Sequence, residues 1–114
     1  MDSRYDNGFS FAHERLDVAR LACEVARWAA RQVLPPARKH LQEQLLRAAD
    51  SLWLNVAEGT GQPPGASRRS HLRIAQGSAA EVHAVLMLVE LPEGGARKQD
   101  LRRIAAMLAK MQQT

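Results

Sequence analysis

The sequence predicts an all-α protein, folded as an antiparallel up-down-up-down four-helix bundle. The first observation is composition: Ala (19 residues) and Leu (14) dominate the apolar residues, while Val and Ile together supply nine and the aromatic residues five. Ala and Leu are strong helix formers, whereas sheets favour β-branched and aromatic side chains. The second observation is a set of three breaks rich in proline and glycine. The third is the helical spacing of apolar residues between those breaks.

The three breaks set the predicted boundaries of the helices. Proline pushes the residue before it out of helical geometry, and glycine commonly ends a helix. The breaks are Leu34-Pro35-Pro36, the segment 59–65 with Pro63-Pro64 inside it, and Pro92-Glu93-Gly94-Gly95. Helices are predicted near 12–33, 37–58, 67–91 and 96–112, in a bundle domain of residues 12–112 that follows an N-terminal arm of residues 1–11. Short connections between successive helices favour antiparallel neighbours.

The first predicted helix has a narrow polar stripe. Its polar residues recur at spacings of three and four, which places them on one side of a helix, and nearly every other position is apolar. They are Asp17, Arg20, Glu24, Arg27 and Arg31. A surface helix of a monomer usually keeps a wider polar side. Either this helix is central, or a second apolar face meets another copy of the chain, and we favour the second explanation because no helix of a four-helix bundle is central.

Antiparallel pairing of the second and third helices around their loop gives a predicted register. It places Ala48 near Gly77, where a close approach of the two backbones would explain a glycine inside a helix. The same register brings Arg47 near Ser78 and Glu81. We therefore predict a partly buried ion pair between Arg47 and Glu81.

Asn55 and Glu58 lie at the predicted end of the second helix. A carboxylate at a helix C-terminus is unfavourable unless a cation lies close to it, and Arg69 or Arg73 on the next helix is the predicted partner. A catalytic role would need a partner acid, base or metal, and this segment has no second carboxylate. We expect a structural link that fixes the loop, with Ser67 as the N-cap of the following helix.

Basic residues outnumber acidic ones, 16 to 12, and most are arginines. Arginine is the better partner for phosphate because its planar guanidinium can bind two oxygens at once. The basic residues form two sequence clusters, which are Arg68, Arg69 and Arg73, and Arg97, Lys98, Arg102 and Arg103. In a monomer these are most simply solvated, but in a symmetric ring each cluster is repeated and phosphate neutralisation becomes plausible. The few aromatic residues argue against base-specific recognition of single strands.

Other features exclude several classes of protein. The lone Cys23 cannot form an intramolecular disulfide and favours a reducing compartment. No apolar run is long enough to span a membrane, and no secretory signal pattern is present. The four histidines lack metal-ligand spacing, and no acid–base or nucleophile constellation is present. We expect a cytoplasmic, non-enzymatic protein without a metal or other cofactor and without membrane contact.

Two segments stand out together. Residues 46–59 match the pattern R-R-A-x-x-S-I-x-x-N-I-A-E-G at seven positions, and residues 72–81 match L-x-I-A-x-G-S-x-x-E at six. The matching residues are Arg47, Ala48, Ser51, Asn55, Ala57, Glu58 and Gly59 in the first segment, and Leu72, Ile74, Ala75, Gly77, Ser78 and Glu81 in the second. These patterns resemble the two signature segments of a bacterial four-helix bundle family, first known from intervening sequences in 23S rRNA genes.

The resemblance implies a compact four-helix bundle that assembles into a ring-like homopentamer. A more distant branch, similar in fold, contains the accessory proteins of diversity-generating retroelements, which are basic pentamers that associate with a reverse transcriptase and with nucleic acid. The leading hypothesis is therefore an oligomeric adaptor that binds RNA or DNA through phosphates, with a reverse transcriptase as a candidate partner. The alternative is a structural or protein-interaction bundle that does not bind nucleic acid.

Overall fold

The computed structural model describes residues 11–14 and 16–113, apart from the side chain of Glu14. Over these residues it is all-helical, which confirms the predicted fold class. The four helices are α1 (Asp17–Ala30), α2 (Lys39–Thr60), α3 (Ala66–Leu88) and α4 (Gly94–Met111), and short 3-10 turns at Ala12–Glu14 and Pro36–Arg38 precede α1 and α2. The predicted N-terminal arm lies outside the described residues except for Phe11.

The observed boundaries differ from the predicted ones mainly around the first helix. This helix begins five residues later than predicted, because residues 12–14 form a separate 3-10 turn, and it ends at Ala30, before the extended backbone at Pro35. The predicted N-cap Ser67 is wrong, since α3 begins at Ala66 and its N-cap is Gly65. Gly65 has a φ of 153°, a backbone conformation that glycine adopts readily and other residues rarely do. The turn therefore depends on Gly65.

Each helix packs against two neighbours, and the core lies between all four. Helix α1 contacts α2 and α4, and α3 contacts the same two helices from the other side. The largest fully buried side chains of the core come from every helix. They are Trp28, Leu45, Leu52, Leu72, Leu101, Ile104, Leu108, Val25, Val56 and Val82.

The wide apolar surface of α1 is buried within its own chain. Val18, Ala22, Val25 and Ala29 are all buried against the neighbouring helices. Trp28 is only 2% exposed, and its indole N–H donates a hydrogen bond to the carbonyl oxygen of the loop before α4 at 3.1 Å. Most of the apolar surface that suggested a second apolar face on α1 is therefore covered within the chain, although α1 packs against only two helices, as the other three do.

The register between α2 and α3 also differs from the predicted one. The hydroxyl of Ser78 donates to the hydroxyl of Ser51 at 2.8 Å, so Ser78 lies one helical turn further along α2 than the predicted position near Arg47. The predicted ion pair is wrong, because Arg47 and Glu81 are both exposed and no ion pair joins them in the described part of the chain. The predicted close approach at Gly77 is wrong as well, since a Cβ added there would meet nothing within 4 Å.

Candidate functional site

The close approach of α2 and α3 occurs at Gly59. A Cβ on this buried glycine would lie 2.9 Å from Cδ2 of Leu72 and 3.1 Å from Cβ of His71. Such distances are well below ordinary van der Waals contact, so a side chain at position 59 would force the two helices apart. Gly59 was predicted to end a helix, but it lies inside α2 and allows α3 to pack against it.

A ladder of polar contacts follows one edge of the α2–α3 pair. The side-chain amide of Asn55 donates to the backbone carbonyl of Ser51 at 2.9 Å, and Nδ1 of His71 lies 3.1 Å from Oδ1 of Asn55. The same His71 nitrogen lies 3.5 Å from a carboxylate oxygen of Glu58. The predicted pairing of Glu58 with Arg69 or Arg73 is wrong, because the group that lies beside its carboxylate is the imidazole of His71, which carries a charge only when protonated. These contacts support the predicted structural link at the end of α2.

The basic residues of the first sequence cluster point in different directions. Arg68 is half-buried, and its guanidinium donates to the backbone carbonyl of Gln62 at 3.3 Å. Arg69 and Arg73 are exposed, and no ion pair holds either of them among residues 16–113. Because they are four residues apart on α3, they lie on one side of that helix. Two of the three arginines therefore present free charge to solvent.

The second cluster is divided in the same way. The Arg97 side chain is only 18% exposed and lies between the carboxylates of Glu93, at 3.6 Å, and Asp100, at 3.2 Å, so its charge is balanced within the chain. Lys98 is half-buried beside the α3–α4 loop. Arg102 and Arg103 are exposed, but as consecutive residues they project about 100° apart around α4. Arg102 is the one that lies on the side of α3, because it lines a cavity between the two helices.

These residues define a basic face on α3 and α4. On α3 it consists of Arg69, Arg73, Gln76, Ala80 and His83, and on α4 it consists of Arg102, Ala105, Ala109 and Gln112. Both sets follow the spacing of three and four residues that marks one side of a helix. The Gln112 side-chain amide donates to the Gln76 side-chain oxygen at 2.7 Å, which joins the two stripes. The basic face contains no carboxylate.

A second surface lies on the other side of α3 and contains large exposed apolar side chains. We call it the α2–α3 face, and it comprises Leu54, Ile74, Gly77, Glu81, Ala84 and Leu88. Leu54, Ile74 and Leu88 are 59%, 49% and 62% exposed. The sequence analysis did not identify this surface. The signal that could have found it is the offset of Ile74 and Leu88 from the buried stripe of α3.

The described part of the chain offers no metal site and no membrane span. No group of three His, Cys, Asp or Glu residues within it could hold a metal ion. Among the four helices described, none combines the length and the apolar character needed to cross a membrane. Cys23 is partly buried and is not disulfide-bonded.

Comparison with known proteins agrees with the fold and with the two signature segments. A search of curated proteins found no match. The sequence model of the family described as 23S rRNA-intervening sequence protein matches residues 14–112, a range that contains all four helices. The chain therefore belongs to the 23S rRNA-intervening sequence protein family.

Proposed function

We propose that this protein is a non-enzymatic, self-assembling adaptor that binds nucleic acid through its phosphates. The observation that carries the proposal is the basic face, where Arg69, Arg73 and Arg102 are exposed and no carboxylate balances them. An arginine already paired with a carboxylate must give up that partner before it can bind phosphate. These three arginines have no such partner to lose, whereas Arg97 does.

The composition of the basic face favours contact with the backbone rather than recognition of sequence. Guanidinium groups bind phosphate oxygens in pairs, and the release of counterions from the nucleic acid favours association at low salt. The rest of the face includes the small side chains of Ala80 on α3 and of Ala105 and Ala109 on α4, so a nucleic-acid backbone can approach the helices closely. Binding of this kind depends on charge and is expected to show little preference among sequences.

Self-assembly would use the α2–α3 face. The exposure of its leucines and isoleucine to water is unfavourable for a monomer. Contiguous exposed apolar patches commonly mark interaction sites. Gly77 and Ala84 are small, so another helix can approach α3 closely beside them. Residues of the family signature (Ile74, Gly77 and Glu81) lie on this face. The occupant that we propose is a second copy of the chain, in a ring of five as the family resemblance implies.

Assembly would strengthen binding without covering the binding surface. On α3, Ile74 and Arg73 are neighbours in sequence and therefore project about 100° apart. A copy seated on the α2–α3 face would leave Arg69 and Arg102 accessible, whereas Arg73 lies at the border of that face because Gly77 is four residues after it. Each added protomer then contributes a further basic face, and several weak phosphate contacts act together.

The binding proposal is tested by salt-dependent fluorescence anisotropy with a labelled 20-base-pair duplex and a 20-nucleotide single strand. The test variant carries Arg69→Glu, Arg73→Glu and Arg102→Glu. Each lost phosphate contact should reduce the slope of log K against log salt by about 0.7 to 0.9, so three contacts give a reduction of about two to three.

The matched control is Arg27→Glu, Arg31→Glu and Arg38→Glu, which changes the net charge by the same amount at three exposed arginines outside the basic face. It should reduce affinity less, and it should leave most of the salt slope intact. Absence of binding by the unaltered protein at low salt would refute the proposal. Equal losses in both triple variants would show that net charge matters and the basic face does not.

Light scattering of the pure protein tests assembly. A 12.6 kDa species at all concentrations would refute it. If oligomers form, Ile74→Asp should dissociate them, whereas Ala109→Asp on α4 should not. Both positions are exposed helical sites, so the two variants differ mainly in the face that they alter.

The alternative function is a structural or protein-interaction bundle, for which the charge only maintains solubility. It is favoured if the protein assembles but does not bind nucleic acid. A reverse transcriptase is the protein partner that we propose to test first, because the resemblance extends to the accessory proteins of diversity-generating retroelements. Co-purification of the two proteins from the cytoplasm, where we propose that the chain acts, is the corresponding measurement.

A further inference from the structure

An open cavity of about 380 Å³ lies between α3 and α4 in the middle of the basic face. Its apolar wall is formed by small or aliphatic side chains, and its polar groups are an amide, an imidazole and a guanidinium. The lining residues are Gln76, Ala79, Ala80, His83, Leu101, Arg102 and Ala105. We infer that this cavity receives one unstacked base of a single-stranded nucleic acid, while the arginines beside it hold the flanking phosphates. The inference rests on the proposed binding of phosphates by the basic face.

The chemistry of the lining fits a flat, mostly apolar ring with polar edges. The methyl groups of Ala79, Ala80 and Ala105 can contact the face of a base, and the planar groups of His83 and Arg102 can stack on it or bond to its edge. Proteins that bind single strands use stacking on histidine and arginine as well as on the larger aromatic residues. A shortage of Trp, Tyr and Phe is therefore no obstacle to taking up a single base without sequence preference.

His83 supplies an independent observation. Its Nε2 atom is buried and has no hydrogen-bond partner among the described residues. A buried polar atom is nearly always hydrogen-bonded, so one without a partner needs a reason. Nε2 has less than 1 Å² of accessible surface, so the imidazole must rotate to bring this atom to the cavity, where the edge of a nucleobase offers both donors and acceptors.

The positive charge around the cavity favours an anionic occupant. Arg102 lines the cavity itself, and Arg73 is three residues before Gln76, so its side chain lies on the same side of α3. No carboxylate lines the cavity. A strand crossing the basic face can place phosphates near both arginines with the intervening base turned towards the helices. A base-paired duplex cannot do so, because its bases are stacked and paired inside the helix.

The test compares two labelled probes that carry the same number of phosphates, a 12-nucleotide oligo(dT) and a 12-residue abasic deoxyribose strand. The unaltered protein should bind oligo(dT) about tenfold more tightly, which is within the range of one stacked base. Ala105→Leu fills the cavity with a residue that favours helix, and it should reduce the preference to about onefold. Ala96→Leu, at an exposed position of α4 outside the basic face, should retain the preference. His83→Ala should weaken oligo(dT) binding and leave abasic binding unchanged.

Each outcome supports or overturns the inference. Equal affinity of the unaltered protein for the two probes overturns it while leaving the phosphate proposal intact, and loss of both probes at low salt overturns both. A preference that survives Ala105→Leu places the base elsewhere. Light scattering identifies the other possible occupant: if Ala105→Leu dissociates an oligomer that Ala96→Leu leaves whole, the cavity receives a side chain of a second copy, and the inference is wrong.

Discussion

Two glycines of the family signature are predicted to respond to alanine in opposite ways. Gly59→Ala places a methyl group 2.9 Å from Leu72, which is fully buried and has little space to move. Overpacking of this kind costs about 1–3 kcal/mol, and the better helix propensity of alanine offsets about 0.5–1 kcal/mol of it. The expected result is a net loss of about 1 kcal/mol. Gly77→Ala meets nothing within 4 Å in the chain and should gain about 0.5–1 kcal/mol.

The assay is urea denaturation followed by circular dichroism, with thermal melting as a second measurement. A change of 1 kcal/mol shifts the Tm of a domain of this size by about 3–6 °C, so the two variants should fall on opposite sides of the unaltered protein. Protomer concentration must be equal throughout, because association adds to apparent stability. In a Leu72→Ala background, where the obstructing side chain is absent, Gly59→Ala should become neutral or stabilising.

The result that would refute this reasoning is an increase in stability for Gly59→Ala that matches the increase for Gly77→Ala. Position 59 would then have room for a methyl group, and the approach of α2 to α3 would not depend on glycine. Gly77→Ala carries a further expectation that follows from the proposed assembly. It should weaken association even as it stabilises the single chain, because the new methyl group lies on the α2–α3 face.

Three further predictions concern contacts within the bundle. Trp28→Phe should reduce the free energy of unfolding by about 1–2 kcal/mol in urea, because it leaves a backbone carbonyl without its donor and removes buried volume. Ser51→Ala should cost about 1 kcal/mol, since the hydroxyl of Ser78 loses its acceptor, and a Ser51→Ala/Ser78→Ala double variant should recover part of this loss. Glu81→Gln and Arg47→Ala should each change the stability of the isolated chain by less than about 0.5 kcal/mol, because no ion pair joins them. A loss above 1 kcal/mol in both would restore the ion pair that the sequence predicted.

The helices themselves could be predicted from the sequence because they depend on local information. Proline at 35–36 and 63–64 and the periodic leucines act within a few residues of where they stand. The register of α2 against α3 depends on where the turn between them pivots. The sequence predicts that a helix ends at Gly59, but the helix continues to Thr60, whose hydroxyl donates to the carbonyl of Val56 at 2.8 Å. That continuation moves the pairing by about one helical turn.

The candidate site was harder to predict, because neighbours in sequence are not neighbours on a helix surface. Arg68 and Arg69 differ by one residue and about 100° around α3, so one folds back to the loop while the other faces solvent. The face that carries unbalanced charge combines Arg69 and Arg73 with Arg102, from the other sequence cluster. Only the packing of α3 on α4 places Arg102 on the same side of the bundle as Arg69 and Arg73, and that packing is set by core side chains rather than by these three.

The signature of the family divides into two groups once the fold is known. One group is explained by contacts within a single chain. Gly59 leaves room for the side chain of Leu72, and Asn55 and Ser78 form hydrogen bonds between α2 and α3. The other group makes no comparable contact.

All four members of the second group are exposed, namely Arg47, Ile74, Gly77 and Glu81. A mid-helix glycine such as Gly77 lowers the stability of the helix, and no close contact within the single chain requires it. Apolar, small and charged side chains alternate on this surface, and such a surface is better suited to contact with a protein of complementary shape than to exposure to water. The second group is therefore the part of the signature that the proposed assembly would explain. The α3 residues of this group border the basic face at Gly77, four residues after Arg73, so the proposed assembly would leave most of the basic face open to nucleic acid.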